Sequence, residues 1–126
     1  MTLRLDHIQL AIPAGGEDQA RTFWCQLIGL PEIRKPAALQ GRGGLWLALA
    51  GAKLHLGVET PFAPAGKAHP GFLVEDIEAL AMQLNAADHP LQWDAALKDR
   101  KRFFTTDPFG NRLEFLAYDA SPQPAP

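Results

Sequence analysis

Residues 3–12 are rich in Leu and Ile, with Leu5, His7, Gln9 and Ala11 on one face, and the run closes at Pro13-Ala14-Gly15-Gly16. An apolar run bounded by a Pro/Gly loop predicts a strand. From Glu17 a helical period begins. Ala20, Phe23, Trp24, Leu27 and Ile28 recur three and four apart and stop at Gly29, which predicts a helix with a glycine C-cap. Strands are then expected over 31–35, 44–50 and 53–59, with Gly51-Ala52 as the hairpin between the last two. Residues 60–67 hold Pro61, Pro64 and Gly66 and have linker composition.

The same order then begins again. Residues 69–75 predict a strand, Asp76 an N-cap, and Ile77, Leu80, Ala81 and Leu84 a second apolar helical stripe. A loop over 86–90 leads to strands at 91–95, 102–106 and 112–118, and the Pro/Ala tail 120–126 is expected to be disordered. The expectation is therefore an α+β chain of two strand–helix–strand–strand–strand modules, about 3–59 and 68–119, joined by the linker. Laying one copy on the other moves residue 7 to 69, an offset of 62, and residue 55 to 114, an offset of 59. The near-equal offsets put a histidine on the first strand of each copy and a polar residue, His55 or Glu114, on the fourth.

Those four residues carry the chemistry. Residues 107–111, Asp-Pro-Phe-Gly-Asn, read as a tight turn in which Pro108 fixes φ and Gly110 or Asn111 tolerates a positive one. In the strand beyond it, Glu114 is a lone carboxylate among Leu113, Phe115 and Leu116, costly to bury unless a cation or metal pairs with it. His7, His55 and His69 are likewise single polar residues among apolar strand neighbours. Any one alone reads more readily as a satisfied core or edge residue. Together, imidazoles and a carboxylate suit zinc, nickel, cobalt, manganese or iron(II) with positions left open for substrate. A structural zinc site would more often use cysteine, and Cys25 is the only one.

Composition narrows the classes. At 126 residues, 47% hydrophobic and 21% charged, the chain has the make-up of one globular domain. A net charge of −2 offers no general attraction to nucleic acid or anionic membrane. No apolar run approaches the roughly 20 residues needed to span a bilayer, and no secretion signal opens the sequence, so a cytoplasmic location is expected. Within Lys98-Asp99-Arg100-Lys101-Arg102, a solvated loop is one reading, and contact of Arg100 or Arg102 with an anionic substrate group the other. Gly41-Arg42-Gly43-Gly44 reads as a turn, because no helix follows as a phosphate loop requires. Phe23, Trp24 and Trp46 read as core or interface, Cys25 as packed, and His89 as loop.

On Leu5-Asp6-His7-Ile8-Gln9-Leu10, Ala68-His69-Pro70-Gly71-Phe72-Leu73-Val74 and Asp107 through Phe115, the sequence resembles the vicinal oxygen chelate superfamily. Its members include glyoxalase I, the fosfomycin and bleomycin resistance proteins and extradiol dioxygenases. The resemblance implies two βαβββ modules curling a mixed sheet into a cup that holds a divalent metal. His7, His69 and Glu114 match the usual ligands on the first, fifth and eighth strands. His55 stands where glyoxalase I carries a glutamate that is both ligand and base, so a base, a fourth ligand and a structural role are its three readings. The implied activity is that of a lyase or isomerase, with a dioxygenase behind it, in which the metal chelates two neighbouring oxygens of a small molecule. The potassium-binding loop expected of fosfomycin-type transferases is not found. The other reading is a metal-free binding protein resembling the bleomycin resistance proteins. The cup can close within one chain or between two, and a homodimer is what the resemblance implies.

Overall fold

The computed structural model describes residues 1–119, so the tail expected to be disordered lies outside the described residues. Two four-stranded sheets form. The first contains β1 (His7–Ile12), β2 (Glu32–Ile33), β3 (Leu45–Leu49) and β4 (Ala52–Val58) in the order β1-β4-β3-β2. The second contains β5 (Gly71–Leu73), β6 (Gln92–Asp94), β7 (Arg100–Thr106) and β8 (Arg112–Tyr118) in the equivalent order β5-β8-β7-β6. In each the first strand runs parallel to the fourth, and the other pairings are antiparallel. The sheets are mixed and do not close into a barrel.

The expected repeat is carried by the ladder register. Gln9 lies opposite His55 and Gly71 opposite Glu114, and in each case the histidine stands two residues earlier, at His7 and at His69. The offsets of 62 and 59 are thus the same residues in the same relation within each sheet.

Each sheet turns one face to a helix. The first helix starts as α1 (Glu17–Arg21), with Glu17 and Asp18 in its first turn where the helix dipole favours acids. It continues as a wider π turn over Thr22–Ile28 and ends at Gly29, whose φ of 98° a side chain would resist. Phe23 and Trp24 face inward from this segment into the core that also holds Leu45, Leu47, Leu54 and Leu56. The second helix, α2 (Ile77–Ala86), is capped as expected, the Asp76 side chain accepting the Ala79 N–H at 3.0 Å. It buries Ile77, Leu80, Ala81 and Leu84 against Phe103, Leu113 and Phe115. Trp24 meets Phe72 edge to face, with ring centroids 5.9 Å apart, so the two cores are continuous.

The structure departs from the pattern where local chemistry overrides it. β1 begins at His7, and β5 is confined to Gly71–Leu73, preceded by Pro70, which has no N–H to give a ladder. His69 therefore precedes its strand. The hairpin turn is Ala50-Gly51, with Gly51 at φ 77°, and Ala52 already belongs to β4. β7 starts at Arg100 because Arg100 and Lys101 pair with Tyr118 and Ala117. Residues Ala37–Arg42 form a short 3-10 helix that no period announced.

The turn before β8 fastens the two modules together. Asp107 is 1% exposed and its carboxylate accepts the N–H groups of Phe109 and Asn111, at 2.9 and 2.8 Å, and the Asn111 side-chain amide at 2.7 Å. Burial pushes its carboxyl above the usual carboxylate value against those donors. The same Asn111 amide donates to the Ala11 carbonyl of β1 at 2.8 Å. Phe109 fills the space that a side chain at Gly16 would need. Gly110, at φ 95°, supplies the left-handed turn residue.

Candidate functional site

On the face of the first sheet turned away from the helix, His7, His55 and Trp46 form a column. β3 and β4 place Trp46 opposite His55. Their rings stack with centroids 3.8 Å apart and planes 3° from parallel. His7 covers the other side of His55 at 4.1 Å and 15°. His55 is 6% exposed and its buried Nε2 finds no hydrogen-bond partner among the described residues. Burial, and after it the His7 and Lys53 charges, hold its imidazole below the ordinary histidine value, favouring the neutral ring. The His7 ring is fixed from behind, Nδ1 meeting the Asp6 carboxylate at 2.8 Å. Asp6 also receives the Lys53 ammonium at 3.3 Å, and the two contacts, that from His7 first, hold its carboxyl below the usual carboxylate value.

The second sheet holds the other pair. His69 Nδ1 meets the Lys67 carbonyl at 3.0 Å, and its Nε2 lies 3.1 Å from Glu114 Oε1. The far oxygen of Glu114 accepts from Arg102 at 3.4 Å, and Arg102 reaches Asp94 at 3.3 Å. A carbonyl accepts only from an N–H, so Nδ1 carries the proton. A neutral ring would then turn its Nε2 lone pair toward the carboxylate. The contact needs a proton or a shared cation between the two atoms.

His7 and His69 thus both have Nδ1 tied to a carboxylate or carbonyl, and His69 Nε2 faces Glu114 Oε1. That is how a metal-binding imidazole is usually oriented. His69 Nε2 and Glu114 Oε1, 3.1 Å apart, are donor types that a divalent ion would take. With the unpartnered Nε2 of His55, the donor set fits a divalent ion. The structure brings His7 to His55 and His69 to Glu114, but among the described residues no group of three or more His, Cys, Asp or Glu is close enough to hold one ion. Each sheet carries half of the expected set.

The expected substrate arginines are already engaged. Arg100 pairs with Asp99 at 2.9 Å and lies over the Tyr118 ring at 4.5 Å. Arg102 is shared between Glu114 and Asp94. Trp24 and Phe23 are core, as expected, whereas Trp46 lies on the functional face against His55. Asp6 was not singled out in the sequence, and Trp46 was read there as core or interface. Asp6 could have been found by its place beside His7, and Trp46 by its parity, since Leu45 and Leu47 on either side take the core face. Cys25 is half-buried, and burial pushes its thiol up. Among the described residues, no helix is long and apolar enough to cross a membrane.

The profile of the Glyoxalase/Bleomycin resistance protein/Dioxygenase superfamily matches residues 4–115. A solved glyoxalase family protein from Bacillus anthracis is 40% identical, with 94% of this chain and 98% of that one covered and a TM-score of 0.92. A lactoylglutathione lyase from Agrobacterium tumefaciens is 17% identical over 93% of this chain and 95% of its own, at a TM-score of 0.73. The oxidase ChaP-H2 is 19% identical over 95% and 98%, at 0.70, and these two likenesses speak for the fold alone. No curated protein matches by sequence. With the fold, the repeat and the match agreeing from the first strand to the last, the chain belongs to the Glyoxalase/Bleomycin resistance protein/Dioxygenase superfamily.

Proposed function

We propose that the protein is a divalent-metal-dependent lyase or isomerase of the glyoxalase kind, acting on a small oxygen-rich molecule at a centre shared between two copies of the chain. The observation that carries this reading is the matched anchoring of His7 and His69 through Nδ1, with His69 Nε2 facing Glu114 Oε1. His7, His69 and Glu114 would hold the ion. It would supply a Lewis acid that stabilises negative charge developing on a substrate oxygen.

The chain's own residues prepare that centre. Asp6 and the Lys67 carbonyl fix the tautomers and ring directions of the two histidines. Arg102 holds Glu114 Oε2 and leaves Oε1 toward His69. His55 is kept neutral by burial and rigid between Trp46 and His7, so its Nε2 can accept a proton at neutral pH. We assign it the role of base. A twofold axis would set the His7–His55 half of one protomer over the His69–Glu114 half of its partner, each sheet face covering the other.

Elemental analysis of tag-free protein after reconstitution with zinc, nickel, cobalt, manganese or iron(II) tests the reading. Metal should be retained by the native protein and lost in His69→Ala and Glu114→Ala. Failure of the native protein to take up any of the five would overturn it and favour a metal-free binding protein. His55→Ala should keep the metal and lose turnover, and loss of the metal would make His55 a ligand.

A further inference from the structure

Beside the Trp46–His55–His7 column lies an open groove of about 590 Å³, walled on one side by the segment between β2 and β3. Three cations line it, Lys35, Arg42 and Lys53, against one carboxylate, Asp6, a local charge of +2 in a chain whose total is −2. Asp6 is already shared between His7 and Lys53. Among the described residues, no carboxylate forms an ion pair with Lys35 or Arg42, and the nearby Glu17, which feels the Lys35 charge, is engaged by the Gly44 N–H.

The segment that presents these cations is braced. The Lys35 ammonium folds back onto the Gly43 carbonyl, and the Gln40 amide donates to the Lys35 carbonyl at 3.0 Å. Glu17 accepts the Gly44 N–H at 2.8 Å. Gly43 and Gly44 both take positive φ, 72° and 77°, and a side chain on Gly44 would strike the Leu56 carbonyl. A lysine needed only for solubility would extend into water. Here backbone, glutamate and glycines hold Lys35 and Arg42 at the rim of a groove whose wall is an aromatic column.

We propose that this groove is an oxyanion subsite, in which Lys35 and Arg42 bind the carboxylate or phosphate of the substrate and so restrict the reaction to anionic small molecules. The inference rests on the reading of His7 and His55 as half of the reaction centre for what the anion is attached to. The charge imbalance and the braced loop argue for the subsite independently. Neither Lys35 nor Arg42 contacts a candidate metal ligand, so they select substrate and take no part in proton movement.

The test uses the chelator-treated full chain labelled with ¹⁵N. Inorganic phosphate and malonate are titrated separately, with glycerol as the neutral control, while the Gly43 and Gly44 amides and the Trp46 indole are followed. At least one oxyanion should give saturable shifts and glycerol none, and the tighter of the two identifies the group as phosphate or carboxylate. Affinity should fall tenfold or more in Arg42→Gln, which breaks no ion pair among the described residues, and stay unchanged in Arg34→Gln, outside the groove. Absence of saturable shifts with both anions, or native affinity in Arg42→Gln, overturns the proposal. Because the protein is metal-free here, that failure leaves the metal reading standing, and failure of metal uptake leaves the subsite standing.

Discussion

Arg102 lies between Glu114 and Asp94 and is mostly buried, which makes it a positioning group for the carboxylate beside His69. Arg102→Met is expected to lower metal affinity about ten- to a hundredfold, as loss of an outer-shell partner typically does, measured by competition with a chelating dye. Glu17 works differently, through the Gly44 N–H. That hydrogen bond holds its carboxyl below the ordinary value of 4.5, so the stabilisation is present above that pH and is lost as pH falls through the folded-state value. In Glu17→Gln the acid loss of thermal stability below pH 4.5 should be smaller than in the native protein, by about 1 kcal/mol after allowing for solvent. An unchanged acid limb would contradict the assignment. His7, His55, His69 and Glu114 stood out in the sequence as candidates because a lone polar residue among apolar strand neighbours has a desolvation cost that calls for an explanation. Asp6, Lys35 and Arg42 were not, since a charge in a polar stretch looks the same whether it faces solvent or lines a groove.

At the level of elements, period and caps gave the strands and helices, and turn chemistry decided the boundaries. The helix ending at Gly29 and the Asp76 cap follow from local sequence and are present. The 3-10 turn Ala37–Arg42 has no apolar period, and its shape comes from Pro36 before it and the braced glycines after it. Gly44→Ala should therefore destabilise the protein by about 2 kcal/mol or more, since it adds a clash with the Leu56 carbonyl to a positive φ. Denaturant midpoints measure this, and a change within 0.5 kcal/mol, about that of an ordinary surface site, would contradict it. Asn111→Ala removes the donor shared by Ala11 and the buried Asp107 carboxylate and should cost about 2 kcal/mol. The turn that in sequence announced only a strand entry is also what joins the modules, a long-range contact that periodicity does not report.

For the whole molecule, the repeat is the deciding feature. Two modules of one topology each carry two of the four expected ligands at the same register, and neither half holds three. On the proposed reading, a second copy would bring its opposite module into place and complete the centre, so dimer formation and metal binding would be one property. The most direct test mixes two variants after subunit exchange, His7→Ala/His55→Ala and His69→Ala/Glu114→Ala. Alone, each should bind no metal. Mixed in equal amounts, half of the dimers would be hybrids with one intact centre each, restoring about a quarter of the native metal content and turnover in proportion. Recovery at that level supports a centre shared between protomers, and no recovery in a mixture shown by mass to contain the hybrid would contradict it.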